Sequence, residues 1–200
     1  MEPLTRYAGR GVALRRSDVD TDQIIPAEFC KRLGKSGYAD VLFAGWRRSA
    51  DFVLNDPASA SATVLVAGHN FGTGSSREHA VWALRDWGFR VIVASSFGDI
   101  FRRNALCNGL LPVELPEHAV AALADLVEAD RATRITVDLE KLEVRAGDIV
   151  ASFSVDQRAR RLLLRGLDDI DVTLERLRVI EDFETTRSAW LPGTPPGFGR

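Results

Sequence analysis

The stretch that decides the fold is VLVAGHNFGTGSSREHAVWALRDWGF, residues 64–89. An apolar, β-branched run ends at Gly68, a loop carries Gly72 and Gly74, and an amphipathic segment follows and stops at Gly88. Short β-branched runs bounded by glycine are typical of buried strands, and apolar residues at helical spacing are typical of a packed helix. The stretch therefore predicts a strand, a glycine-rich loop and a helix in succession.

The start of this helix has the composition of an anion site. Ser75 and Glu78 stand three residues apart, as in a capping box, so we expect the helix to begin at Ser75. Unpaired N–H groups and the helix dipole favour an anion there, and Gly74 lets a ligand approach the backbone. Arg77 adds a planar fork that matches a carboxylate. A structural alternative stays open, in which Ser75 only caps the helix and Arg77 pairs with a surface acid.

The rest of the chain predicts a mixed α/β arrangement. Strands are expected at residues 10–16, 62–68, 90–95, 110–115, 134–139, 142–145 and 149–155. Further helices are expected after Pro116, over residues 156–165 and over about 172–186. The pattern combines βαβ units with a β-meander, which predicts a mixed β-sheet flanked by helices with additional β-hairpins. We expect a single domain over residues 1–190 and a flexible Pro/Gly-rich tail over residues 191–200.

Composition excludes several classes of protein. The chain has 200 residues, is 46% hydrophobic and carries a net charge of −2, which suits a globular protein with its own core. Its apolar runs are far shorter than the ~20 residues of a membrane span, and its N-terminus has no apolar signal core. We therefore expect a cytoplasmic protein. Charges of both signs are scattered, which predicts neither a nucleic-acid nor a membrane partner.

The cysteines and histidines indicate no metal site in this chain. Cys30 and Cys107 lie outside any metal-binding spacing, and we expect both to be buried, reduced thiols. Two thiols are also too few for an iron–sulfur cluster. His69 and His118 are expected at the surface, while His79 fits a packing, interface or catalytic role equally well.

Two segments resemble the hallmarks of the small swivelling domain of the aconitase superfamily. They are NFGTGSSREHAVWAL, residues 70–84, and VDTDQIIPAEF, residues 19–29. The likeness continues to about residue 187, and in detail the chain resembles the family of bacterial 3-isopropylmalate dehydratase small subunits. The resemblance implies an aconitase-type swivelling domain that closes as a lid over a hydroxy-dicarboxylate. It also implies a large partner subunit that holds a [4Fe–4S] cluster, which fits the shortage of cysteines here.

The resemblance also assigns roles to individual residues. Ser75 matches the serine that acts as general base, as an alkoxide, and Asp22 matches an aspartate that supports the active site. Ser76 and Arg77 match the pair that binds a substrate carboxylate, beside Gly74. The implied reaction interconverts 2-isopropylmalate and 3-isopropylmalate by dehydration and rehydration through 2-isopropylmaleate, in leucine biosynthesis.

The segment CKRLGKSG, residues 30–37, is expected to select the substrate. Its glycines and cations predict a mobile loop, and it follows the Asp22 hallmark closely. We expect Leu33 to contact the isopropyl group, while Lys31 or Arg32 holds a carboxylate; an exposed loop with an incidental leucine is the alternative. Two other functions stay open: the small subunit of a related hydro-lyase, such as citraconate (methylmalate) hydratase or homoaconitase, and a non-catalytic anion-binding module.

Overall fold

β-Strands form the centre of the molecule. The computed structural model describes residues 1–188, 190 and 191. The strands are β1 Arg6–Leu14, β2 Ala62–Ala67, β3 Val91–Ala94, β4 Leu111–Glu114, β5 Arg134–Asp138, β6 Glu143–Ala146 and β7 Ile149–Ser152. Within the described residues they form one seven-stranded sheet in the order β4-β3-β2-β1-β5-β6-β7.

The sheet is mixed, as the sequence predicts. Strands β1 to β4 run parallel to one another. Strand β5 pairs antiparallel with β1, and β5, β6 and β7 form an antiparallel meander. Ala146 pairs with Ile149 across a two-residue turn, in which Gly147 has a φ of 54°. The β-hairpins and the mixed sheet are therefore confirmed.

Helices cover both faces of the sheet. They are α1 Thr21–Ile24, α2 Glu78–Trp87, α3 Asp99–Cys107, α4 Glu117–Ala129, α5 Gln157–Arg165, α6 Asp169–Leu174 and α7 Leu177–Thr186. Short 3₁₀ turns occupy much of the chain between α1 and β2. In the part of the chain that the structure describes, no helix has the length and apolarity to cross a membrane.

The side chains of the central strands point alternately to the two faces of the sheet, which divides the core into two layers. Leu65 of β2 and Ile92 of β3 pack with α2 and α3 on one face. Val64 and Val66 of β2 point to the opposite face, where Leu123 of α4 joins them. Successive side chains of a strand point to opposite faces of the sheet. A central strand that is buried on both faces therefore has a continuous run of apolar residues in its sequence. This packing fixes α2, and the loop before it, against the sheet.

The C-terminal third departs from the prediction in one place. Instead of one helix over about residues 172–186, the chain forms α6 and α7. Asp168 and Asp171 form a reciprocal capping box, which starts α6 earlier than expected, and the helix ends at Leu174. The predicted tail, residues 191–200, lies outside the described residues apart from Leu191.

Candidate active site

The loops that follow β1 and β2 meet at one edge of the sheet. Because β1 and β2 are parallel and adjacent, their carboxyl ends lie side by side. The Asp18 N–H donates to the His69 carbonyl at 2.9 Å, and the Gly72 N–H donates to the Val19 carbonyl at 2.7 Å. These bonds continue the strand pairing beyond the strands themselves. They join the two hallmark segments, which are about fifty residues apart in sequence.

The loop from Gly72 to Arg77, here called the serine loop, depends on its glycines. Gly72 has a φ of 76°, and a Cβ atom there would lie 2.2 Å from Cγ of Phe101. Gly74 has a φ of 88° and lies against Asp20. L-residues rarely adopt such φ values. The two glycines therefore let the loop turn closely over α3 and α1 and present the serines outward.

The two serines stand at the exposed side of this loop. Ser75 and Ser76 are both exposed. The Ser75 carbonyl accepts a hydrogen bond of 2.9 Å from the Thr21 hydroxyl, and the Thr73 carbonyl accepts one of 3.0 Å from the Thr21 N–H. The backbone of the loop is thus fixed to α1 while the serine side chains face outward, where a ligand can reach them.

An ion pair joins the two hallmarks beside the serines. Asp22 binds Nη1 of Arg77, which also donates to the Ile25 carbonyl at 3.4 Å. The hydrogen bond that Arg77 donates to Asp22 is the main reason that the pKa of Arg77 lies above its ordinary value. Both contacts use Nη1, and within the described residues Nε and Nη2 make no hydrogen bond, so that edge has the geometry that can bind a carboxylate through two hydrogen bonds. Asp22 therefore orients the arginine without occupying its whole fork.

The predicted capping box is wrong. Helix α2 begins at Glu78, and Arg77 at its N-cap position makes no side-chain capping bond. The Ser75 carbonyl is held by Thr21, and Arg77 has an extended backbone with φ −128° and ψ 100°. The Glu78 carboxylate accepts a hydrogen bond of 2.7 Å from Asn108 instead of reaching back to Ser75. The Ser75 hydroxyl is thus not used for capping, while Gly88 ends α2 as predicted, with a φ of 120°.

The segment from Cys30 to Gly37, here called the leucine loop, projects from the domain. The Leu33 side chain is 98% exposed. Lys31 is exposed as well. Arg32 points elsewhere: its guanidinium binds both carboxylate oxygens of Asp40, at 2.7 and 2.8 Å.

Both charges of this pair are stabilised by the contact. The hydrogen bond between them raises the pKa of Arg32 and lowers that of Asp40. The Arg32 guanidinium also donates to the Gly37 carbonyl at 2.6 Å, which closes the base of the leucine loop. The structure thus gives Arg32 a contact within its own loop, and Lys31 is the more accessible of the two predicted carboxylate-binding cations.

Tyr38 connects the leucine loop to the helix that follows the serine loop. Its buried hydroxyl donates to the carbonyls of Arg32 and Gly34, at 3.1 and 2.9 Å. Its ring packs edge-on against His79 of α2, with the centroids 5.6 Å apart. The two loops are therefore neighbours, and His79 is placed here as a packing residue.

The positions of the two cysteines and of His69 and His118 can be compared with the predictions made for them. In the described part of the chain, no group of three or more His, Cys, Asp or Glu side chains is arranged to hold a metal ion. Cys30 is half-buried and Cys107 is exposed, both as free thiols, so the prediction that both are buried is wrong. His69 pairs with Asp18 at the surface and His118 is exposed, as predicted.

A cavity of about 720 Å³ lies elsewhere, between the end of β1 and the 3₁₀ turns around Trp46. Its polar lining is largely self-paired: Arg15 binds Glu128, and Ser49 donates to Asp51. Paired charges of this kind leave few groups to recognise a ligand. The arrangement of Ser75, Arg77 and Asp22 is chemically the stronger candidate, although it forms an open surface.

The fold is that of an aconitase-type swivelling domain. Residues 1–118 match the family described as the aconitase C-terminal domain, and residues 121–157 match the family described as LeuD_N. The crystal structure of 3-isopropylmalate dehydratase from Methanocaldococcus jannaschii aligns with a TM-score of 0.66 and 27% identity, covering 90% of this chain and 99% of that one.

Relatives of known name narrow the class further. The 3-isopropylmalate dehydratase small subunit of Acidothermus cellulolyticus is 58% identical, over 97% of this chain and 98% of its own length. That of Thermobifida fusca is 54% identical, over 97% of this chain and 100% of its own length. The chain belongs to the family of 3-isopropylmalate dehydratase small subunits.

The structure also identifies residues that the sequence prediction did not single out. Thr21 holds the backbone of the serine loop, and Tyr38 anchors the leucine loop. The hydroxyl of Thr21 is buried within a hallmark segment, and buried polar groups normally have hydrogen-bond partners, so this residue could have been predicted to hold a neighbouring loop. No local pattern marks Tyr38, whose contacts depend on tertiary packing.

Proposed function

We propose that this chain is the small subunit of 3-isopropylmalate dehydratase. It interconverts 2-isopropylmalate and 3-isopropylmalate through 2-isopropylmaleate, as a hydro-lyase of leucine biosynthesis. The observation that carries the proposal is the pairing of Asp22 with Arg77 beside the exposed Ser75, in a chain 54–58% identical to eight small subunits of that enzyme. The site supplies a base and a carboxylate clamp, two of the functions that the reaction needs.

Ser75 acts as the general base in this proposal. As an alkoxide, its oxygen takes a proton from the carbon next to the hydroxyl-bearing carbon. The electron pair of that C–H bond forms the double bond as the C–O bond breaks, and the hydroxyl leaves as hydroxide, which takes a proton from solvent to become water. In rehydration with the opposite regiochemistry, the hydroxyl of a water molecule adds to the carbon that lost the proton, the other proton of that water passes to solvent, and the Ser75 hydroxyl returns its proton to the carbon that lost the hydroxyl. Ser76 and Arg77 hold a carboxylate meanwhile, with Gly74 allowing close approach.

Stabilising the alkoxide is the difficult part of this chemistry. A helix dipole contributes at most ~2 kcal/mol, and its effect falls off within the first turn. Ser75 stands three residues before the first residue of α2, so it receives less than that. The guanidinium of Arg77 and the exclusion of water by a partner must supply the rest. The site should therefore act only in an assembled complex.

A large subunit is the partner that completes the site. In this enzyme class a [4Fe–4S] cluster supplies the Lewis acid that draws off the substrate hydroxyl. Such a cluster needs three or four protein thiolates, and this chain has two cysteines, on separate elements. The residues present therefore do not fit the cluster, and we assign it to the large subunit. We place the complex in the cytoplasm, where free thiols such as these stay reduced.

The leucine loop selects the substrate in this proposal. Leu33 contacts the isopropyl group when the domain closes, and Lys31 contributes to holding a carboxylate. The exposure of both side chains supports this assignment, since none of the described residues covers them. The contact of Arg32 with Asp40 favours a structural role for that arginine.

Reconstitution tests the proposal. The purified chain alone, with iron removed, should be colourless and inactive with 2-isopropylmalate. Addition of a cluster-loaded large subunit of the same family should give turnover, followed by the ultraviolet absorbance of 2-isopropylmaleate. Turnover by the isolated chain would contradict the proposal. A reconstituted complex that prefers methylmalate or homoaconitate would reassign the chain to a related hydro-lyase, and binding of dicarboxylates without turnover would leave an anion-binding module.

A further inference from the structure

Thr21 is a buried polar residue. Its side chain is 3% exposed, at the first position of α1. It makes two bonds to the serine loop: the N–H binds the Thr73 carbonyl at 3.0 Å, and the hydroxyl binds the Ser75 carbonyl at 2.9 Å. The donors of one residue therefore fix two peptide groups on either side of Gly74.

The helix that carries Thr21, α1, is itself held by a capping box at its start. Asp20 and Gln23 form a capping box, in which the Asp20 carboxylate accepts from the Gln23 N–H at 2.8 Å and the Gln23 side chain accepts from the Asp20 N–H at 3.0 Å. The next residue along, Asp22, binds Arg77. Consecutive residues of α1 thus hold the backbone at Ser75 and the side chain of Arg77, so both groups are placed by one short helix.

We propose that Thr21 is a positioning residue for the general base, an inference that rests on the proposed function of Ser75. Gly74 has a φ of 88° and precedes Ser75, so the backbone on that side is permissive. The bond to the Ser75 carbonyl removes this freedom and fixes the direction of the Cα–Cβ bond. A base must lie within hydrogen-bond reach of the proton it takes, and a displacement of 1 Å costs about 100-fold in rate.

Replacement by residues of similar shape tests this role. Thr21→Val keeps the volume and removes the hydroxyl, whereas Thr21→Ser keeps the hydroxyl. In complex with the large subunit, Thr21→Val should lower kcat about 10- to 100-fold with KM nearly unchanged, because Arg77 is held separately by Asp22. Thr21→Ser should retain most of the wild-type kcat. Should Thr21→Val fail to assemble, Thr21→Ala against Thr21→Ser gives the same comparison.

Ser59 offers a matched control. It is also a buried hydroxyl, 2% exposed, but it precedes the opposite end of β2. Ser59→Ala should leave kcat unchanged. The inference is overturned if Thr21→Val turns over like the wild type, or if Thr21→Ser loses as much kcat as Thr21→Val. Failure of the wild-type complex itself to convert isopropylmalate would instead overturn the proposed function.

Discussion

The serine loop and the leucine loop are held in different ways. The serine loop is fixed along its length, by backbone bonds to α1 and by the ion pair between Asp22 and Arg77. The leucine loop is fixed at its base, by Tyr38 and by the pair of Arg32 with Asp40, while Leu33 at its tip is 98% exposed. A reacting group needs a fixed position, whereas a group that selects among alkyl substituents needs only to reach them. The contrast separates the shared chemistry from the choice of substrate.

Removal of the Ser75 hydroxyl should have the largest effect. Ser75→Ala deletes the proposed base and should lower kcat about 1,000-fold, within the range for general base catalysis. Stability should stay within about 0.5 kcal/mol of the wild type, because this serine makes no helix cap. Steady-state kinetics of the reconstituted complex and thermal unfolding of the chain measure the two effects. Near-normal turnover would show that the base lies elsewhere.

Arg77→Lys is the matched variant in the same loop. It keeps the charge but replaces a planar fork with a point charge, so it should chiefly raise KM. The serine loop would then contain one residue that governs kcat and one that governs binding. Equal effects of both variants on kcat and KM would mean that the loop acts only as a structural unit.

The serine loop also shows how far the sequence predicts the structure. The strand, the loop, the helix and its end at Gly88 follow from local patterns, and all four are confirmed. The helix start is wrong because two distant residues intervene. Thr21, which lies 54 positions before Ser75, donates a hydrogen bond to the Ser75 carbonyl. Asn108, which lies 30 positions after Glu78, donates one to the Glu78 carboxylate. A capping-box pattern contains only local contacts, so it cannot register either one.

Two other differences between the prediction and the structure could have been predicted from local sequence patterns. The capping box of Asp168 and Asp171 is a local pattern that marks the start of α6. Helix α3 was not predicted, although Phe101 and Ala105 have helical spacing and are both buried. The pairing of Arg32 with Asp40, in contrast, depends on the fold of the leucine loop around Tyr38. The interpretation of the site chemistry depends on the family resemblance, because the residue types and their spacing at the start of the helix predict only an anion site and no reaction.

Truncation of Leu33 should have an intermediate effect, confined to specificity. Leu33→Ala should lower the preference for isopropylmalate over methylmalate about tenfold, since a lost alkyl contact is worth ~1–3 kcal/mol. The kcat for methylmalate should be unchanged. Val150→Ala is the control, because Val150 is also an exposed aliphatic residue but lies on β7. The ratio of kcat/KM for the two substrates decides the point, and an unchanged ratio would remove the leucine loop from substrate selection.

The smallest effect is expected at the base of the leucine loop. The bond from Arg32 lowers the pKa of Asp40 below its ordinary value of about 4. A carboxyl group with a lowered pKa in the folded state contributes fully above its ordinary pKa, and the contribution is lost as the pH falls through the lower value. The leucine loop should therefore stay ordered from pH 7 to about 4 and loosen below that range.

Nuclear magnetic resonance and proteolysis test this prediction. The amide signals of Gly34 and Gly37 should broaden only at the acid end of a titration from pH 7 to 3. Asp40→Asn, which resembles the protonated carboxyl, should speed trypsin cleavage after Lys31 by a few-fold at neutral pH, since an exposed ion pair contributes little. Asp51→Asn, which changes an exposed aspartate outside the loop, should not. Cleavage of Asp40→Asn at the wild-type rate would mean that Tyr38 alone orders the loop, and that the two loops differ less in their anchoring than the ion pair indicates.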